Sequence, residues 1–212
     1  MTDKTKIAVA VFDKCAALYQ DRFMDVSLYH DTFDRFCSEI KKENAAVLEL
    51  ACGPGNITKY LLQQRSDFKI LGTDLAPKML ALAQENNPTA QFQLLDVKAI
   101  GANTLKTTYD GVMCGFGLPY LSQEEAIRFI HQAYGILNTD GLLYLSTMED
   151  DYSRSGWQKG STGDAIFMHY HQEDYLSTAL TAAGFSILLT ERIVYPATDG
   201  SPITDLILIA KK

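Results

Sequence analysis

One twelve-residue stretch, Val47–Thr58 (VLELACGPGNIT), constrains the fold of this chain more than any other. An apolar run reads as a strand, carries an acid at Glu49, and breaks at a tight glycine turn, Gly53-Pro54-Gly55. The helical spacing of Ile57, Tyr60 and Leu61 begins directly afterwards. Glycines have no Cβ, so a turn of this kind lets backbone N–H groups and a helix N-terminus come close to a ligand.

The same alternation of strand and helix recurs along the chain. Ala45–Leu50 has the apolar run of a parallel strand buried on both faces. Phe68–Gly72, Gln91–Leu95, Gly111–Gly115 and Leu142–Thr147 read as further strands. Between them, Pro77 marks a helix start, with Met79, Leu82 and Ala83 on one face. Ser122 and Glu125 have the spacing of a capping box, and behind them Ala126, Phe129, Ile130, Ala133, Tyr134 and Leu137 share a helical face. Asn138–Gly141 reads as a turn. A last helix through Leu176, Ala179, Leu180 and Ala183 stops at Gly184. Phe185–Tyr195 and Ile203–Ala210 are joined by Pro196–Pro202, whose Asp199-Gly200 pair signals the turn of an antiparallel hairpin. Five βα alternations and a closing hairpin predict an α/β fold, a doubly wound, mostly parallel sheet with helices on both faces.

Two segments lie outside this scheme. In residues 1–44, Phe12, Ala16, Tyr19 and Phe23 share one helical face, as do Tyr29, Phe33, Phe36 and Ile40, which predicts two amphipathic helices packed as a cap. Glu149–Gln172 is rich in serine and glycine around Trp157, the only tryptophan, and reads as a long functional loop. We therefore expect a single domain over residues 1–212. Its parts are a helical cap (1–44), a core (45–148), an insertion (149–172), and a terminal helix with hairpin (173–212).

Charge and cysteine usage narrow the function. A net charge of −7 without a Lys/Arg stripe is a poor match to nucleic acid or an anionic membrane; Lys41-Lys42 and Lys211-Lys212 are pairs, not tracts. No apolar run approaches the roughly 20 residues of a membrane span. The apolar patch Ile7–Phe12 is too short for a secretory signal, so the expectation is a cytoplasmic protein acting on a small molecule. Cys15, Cys37, Cys52 and Cys114 lack C-x-x-C spacing, which argues for reduced thiols and against zinc.

Glu49, Gly53 and Gly55 form an acid-x-x-x-Gly-x-Gly pattern that resembles motif I of the class I S-adenosylmethionine (SAM) methyltransferases. Asp74 ends the second strand 19 residues after Gly55, and its two acceptor oxygens suit a ribose diol. An acid there serves both nicotinamide dinucleotides and SAM. The dinucleotide pattern G-x-G-x-x-G would place a third glycine where Thr58 stands.

The resemblance implies SAM as cofactor, S-adenosylhomocysteine (SAH) as product, and sheet order 3-2-1-4-5-7-6. It implies that Glu49 lies near the ligand's ammonium group, that Asp96 accepts the adenine amino proton, and that the Val97 N–H meets a ring nitrogen. Asp96 also reads as a helix N-cap. The segment Gly115-Phe116-Gly117-Leu118-Pro119-Tyr120 would pass beside the sulfonium, where Phe116 or Tyr120 could face the cation, unless both are ordinary core aromatics. Ala51, Leu75 and Met79 complete the expected cofactor set.

Catalytic candidates are His169 and His171, on one face if extended, and Tyr19, which in related enzymes comes from a helix closing over the site. The two histidines lack a third ligand, so no metal is expected. Phe23, His30, Tyr120 and Trp157 are the expected substrate-side residues. Only the last two positions of an N/D-P-P-Y tetrad survive in Gly117-Leu118-Pro119-Tyr120, which speaks against amino methylation of nucleic acid or glutamine. The alternatives are a nicotinamide-dependent oxidoreductase and a non-catalytic SAM-binding protein of the same fold. The methyl acceptor and the oligomeric state are not legible.

Overall fold

The apolar run after residue 45 does fold as a strand buried on both faces, and the sheet grows outward from it. The computed structural model describes residues 3–101, 104–105, 107–160, 162–195 and 203–212. The strands are β1 (Ala46–Leu50), β2 (Lys69–Asp74), β3 (Gln91–Leu94), β4 (Tyr109–Cys114), β5 (Leu137–Glu149), β6 (Gly156–Lys159), β7 (Ala165–Met168), β8 (Ser186–Tyr195) and β9 (Ile203–Lys211). The helices are α1 (Asp3–Phe23), α2 (His30–Glu39), α3 (Asn56–Gln64), α4 (Pro77–Asn86), α5 (Gln123–Ile136) and α6 (Glu173–Ala183).

Seven strands form the main sheet in the order β3-β2-β1-β4-β5-β9-β8. Numbered within that sheet alone, this is the expected 3-2-1-4-5-7-6. β1 pairs in parallel with β2 and β4, while β9 runs antiparallel to both β5 and β8. Alternation along each strand feeds two cores. Leu143, Leu145, Leu206 and Leu208 face α5 and α6; Leu142, Tyr144, Ile207 and Ile209 face α2 and α3. Each large apolar side chain buried in this way contributes about 1.5–3 kcal/mol. α1 lies apart from both cores, packing Ala16 against Ala76 and Met79 at the start of α4.

Local signals set the helix ends. Ser122 and Glu125 form the reciprocal capping box, Pro77 occupies the first turn of α4, and Gly184 ends α6 with φ +104°.

Two expectations need correction. Asn138–Gly141 is not a free turn but the irregular start of β5, whose pairing jumps from Tyr109↔Leu137 to Gly111↔Leu142, with Asp140 at φ +63°. The segment Glu149–Gln172 is not one long loop. It contains the antiparallel pair β6–β7, in which Trp157 pairs with Phe167. The expected Asp199-Gly200 turn lies outside the described residues.

Candidate functional site

The first five strands bring their C-terminal ends to one edge of the sheet, where a cavity of about 500 Å³ opens beneath α1. Of the expected cofactor residues, Ala51, Gly53, Asp74, Leu75, Met79, Asp96, Val97, Gly115 and Phe116 all line it.

The floor is held by short local interactions. Ala51 (φ +53°) and Gly53 (φ +53°) turn the chain sharply after β1. A Cβ on Gly53 would meet only the Tyr19 ring, at 3.8 Å, so the space above this glycine is open to a ligand. Asp74 supports the turn from the neighbouring strand, its Oδ2 accepting the Gly53 N–H at 2.9 Å and its Oδ1 the Ala76 N–H at 2.8 Å. Burial raises its pKa, opposed by these amide bonds. Each oxygen keeps acceptor capacity for a further hydroxyl.

Asp96 plays the capping part anticipated as its alternative, accepting the Lys98 N–H at 2.9 Å while still lining the cavity. Phe116 sits at φ +57°, pinned by its N–H donating to Ser146 Oγ at 2.9 Å and by the Tyr29 ring at 5.3 Å.

Glu49 and Gly55 do not line the cavity. Glu49 is 1% exposed, and its Oε2 accepts the Thr58 hydroxyl. Its Oε1 has no hydrogen-bond partner among the described residues. Burial pushes its pKa up to about 8, against the lowering effect of Thr58. The residue standing in place of a third glycine thus reaches back to hold the strand acid. Gly55 (φ +77°) serves packing: a Cβ there would lie 2.4 Å from Asn87 Nδ2. Gly115 does both, lining the cavity while leaving room for Ile57, whose Cδ1 would be 2.2 Å from an added Cβ.

The expected substrate and catalytic residues divide. Tyr19, Tyr120 and His169 line the cavity. Tyr19 and Tyr120 flank Phe12 with edge-on rings at 5.8 and 5.4 Å. Burial drives the Tyr19 pKa up to about 12 and raises that of Tyr120, so neither phenol is an anion near neutrality. His169 is anchored by its N–H to Pro119 O at 2.8 Å, and its Nδ1 lies 3.2 Å from the Tyr152 hydroxyl. Burial, then nearby Lys4, lowers its pKa, leaving it neutral near pH 7.

Four expected residues are elsewhere. His171 is fully buried; its Nε2–H donates to Leu118 O at 2.9 Å and its Nδ1 accepts from Tyr175. Burial holds its pKa down to about 4, and it serves packing under the β4–α5 connection. His30 stacks on Tyr60 at 4.1 Å on the α2–α3 side. Phe23 ends α1 beyond the cavity, 38% exposed. Trp157 is 51% exposed on β6, edge-on to Phe167.

Sequence reasoning missed Phe12, Phe167, Lys4 and Lys98 as lining residues. Phe12 shares its helical face with Tyr19 and could have been found from that spacing. The others carry no local signal. Among the described residues no helix is long and apolar enough to cross a membrane, and no cluster of three or more His, Cys, Asp or Glu has metal-site geometry.

Residues 47–141 match the family described as "Methyltransferase domain". Trans-aconitate 2-methyltransferase of Variovorax paradoxus is 46% identical over 55 residues, which are 26% of this chain and 21% of that protein. Carboxy-S-adenosyl-L-methionine synthase of Campylobacter jejuni is 27% identical over 143 residues, 64% of this chain and 60% of that one. The chain thus spans less than two thirds of either relative. Magnesium protoporphyrin IX methyltransferase from Synechocystis PCC 6803, solved with bound SAM, superposes with a TM-score of 0.72 at 20% identity, covering 100% of this chain and 98% of that one. At that identity the likeness speaks for the fold.

Proposed function

We propose that this chain, whose residues 47–141 match the methyltransferase-domain family, is a class I SAM-dependent methyltransferase that transfers a methyl group from SAM to a small-molecule acceptor by in-line displacement. The family's cofactor is SAM. The observation that carries the assignment is the cavity floor, where the open face of Gly53 and the carboxylates of Asp74 and Asp96 meet at one strand edge. Ligands of open α/β sheets bind at that edge.

The residues present fit the cofactor. Asp74 is our choice for the ribose diol, and Asp96 with the Val97 N–H for the adenine edge. Leu75, Met79 and Val97 are apolar walls for a flat heterocycle. Gly53 gives backbone access to the amino-acid end, with Glu49 supporting the turn through Thr58 instead of reaching the ligand itself. When bound, SAM supplies an electrophilic methyl carbon, whose bond to sulfur breaks as an acceptor lone pair forms the new bond and the electron pair leaves on sulfur.

The chain's own part is positioning and exclusion of water. Alignment of acceptor and methyl group can supply up to about 7–11 kcal/mol. Phe12, Tyr19, Phe116 and Tyr120 form an aromatic surround suited to a cationic centre. His169, neutral and lining the cavity, is the candidate base for an acceptor that must lose a proton.

The division into cap (1–44), core (45–148), insertion (149–172) and terminal helix with hairpin (173–212) belongs to the same reading, with α1 and β7 as the acceptor-side wall. A small acceptor in preference to nucleic acid is supported by the net charge of −7 and by the size of the cavity, and a cytoplasmic setting belongs to the same proposal. The experiment is SAH release from SAM with a panel of small acids, phenols, amines and thiols. Acceptor-dependent release above the no-acceptor rate supports transfer. SAH binding with no release across the panel points to a SAM-binding protein without turnover.

A further inference from the structure

We propose that the methyl acceptor carries an anionic group of the carboxylate class, seated at the Lys4 and Phe167 end of the cavity. This rests on the methyltransferase reading and adds the charge of the substrate.

Of the charged side chains on the cavity wall, Lys4 is the one whose charged group has no polar partner among the described residues. Five ionised side chains line the cavity: Asp74, Asp96, Glu125, Lys98 and Lys4. The first four are engaged by the protein. Asp74 accepts the Gly53 and Ala76 amides, and Asp96 accepts the Lys98 amide. Glu125 takes the Lys98 ammonium on Oε1 at 2.9 Å and the Ser122 N–H on Oε2 at 2.9 Å, so Lys98 and Glu125 cancel.

Lys4 is different. Among the residues whose side chains are described, which begin at Lys4, no carboxylate lies within ion-pair distance of its ammonium. The group stands 3.3 Å from the centroid of the Phe167 ring. A ring face holds a cation in place without neutralising it. The neighbouring His169 carries no negative charge in either protonation state and offers no counter-charge. The acceptor side of the cavity therefore carries one unmatched, pre-positioned positive charge, on a chain whose net charge is −7.

The rest of that wall is Ala8, Val9, Phe12 and Tyr120, an apolar and aromatic surface. A flat apolar body ending in an anionic oxygen group matches both parts. Placing a compact ammonium opposite an acid gives specificity as well as attraction, because a neutral analogue leaves the charge unpaired.

The test uses the full chain loaded with SAH, titrated calorimetrically with benzoate and cinnamate and with the amides benzamide and cinnamamide. The expected result is acids binding at least tenfold more tightly than amides, with Lys4→Met erasing the difference. Lys4 is exposed at the start of α1, so SAH affinity should stay within about twofold in that variant and report an intact fold. Equal binding of acid and amide, no saturable binding of either, or an acid preference that survives Lys4→Met overturns the proposal. Failure of SAH itself to bind the unmodified chain would instead overturn the methyltransferase reading beneath it.

Discussion

The strand-end wall of the cavity is made of backbone turns and buried carboxylates, whereas the α1 and β7 wall is made of side chains, held by a small patch around Ala16 and Phe12 and otherwise by exposed or half-buried polar contacts. On the first wall, Asp74 bonds two amides of adjacent loops, Thr58 holds Glu49, and Gly55 lets α3 and α4 touch. On the second, α1 is tied down by Lys14–Asp164 and Asp13–Lys78 ion pairs, the Lys4–Phe167 contact, and a Thr5–Lys98 hydrogen bond. The contrast teaches a division of labour. The wall assigned to the cofactor is shaped by the same core that folds the sheet, so it cannot vary without loss of stability. The polar contacts of the wall assigned to the acceptor are worth little each, so that outside the Ala16 and Phe12 packing it can change at small cost.

Substitutions can break that comparison, and the largest effect is expected at Gly55. Gly55→Val adds a branched side chain at φ +77° and drives its Cβ against Asn87. Strain and overpacking together should cost at least about 2 kcal/mol in urea unfolding. Thr58→Val follows. It keeps the shape but removes the donor from buried Glu49, for an expected loss of about 1–3 kcal/mol in the same assay.

Glu49 sharpens the comparison through pH. Burial holds its folded pKa near 8 against an ordinary value of 4.5. The unfolded chain releases this proton first, so the group favours unfolding progressively as pH rises from about 4.5 to 8. Relative to wild type, Glu49→Gln should therefore gain stability across that window, read from thermal midpoints at pH 5, 6, 7 and 8. A flat difference would mean that Glu49 is ionised in the fold.

The smallest effect belongs to the other wall. Lys14→Ala removes an ion pair whose lysine is 65% exposed, and should change stability by less than about 1 kcal/mol. A larger loss would show that the cover is as integral as the floor.

The same contrast explains what could be read from sequence. Gly53, Asp74 and Asp96 were legible because each lies at or within three residues of the end of a strand that its own apolar run announces. The sheet order followed from family resemblance, and the terminal hairpin from two apolar runs. His30 and Phe23 were misplaced because a helical face says which residues pack together, not what they pack against. His171 lies two residues from His169 but points into the protein, where Leu118 O and Tyr175 occupy its ring. Phe167 and Lys4 were invisible for a different reason. Their contact joins residues 163 positions apart, through a four-residue strand with no periodicity to detect.

The central claim is that Asp74, held between two loop amides, grips the cofactor's ribose at the strand edge. Its most direct test is calorimetric titration of SAH into wild type and Asp74→Ala, with folding of both verified by circular dichroism. The account predicts micromolar binding to wild type and at least a tenfold loss in the variant, about 1.4 kcal/mol. Equal affinity in the two proteins, or no binding to folded wild type, would contradict it.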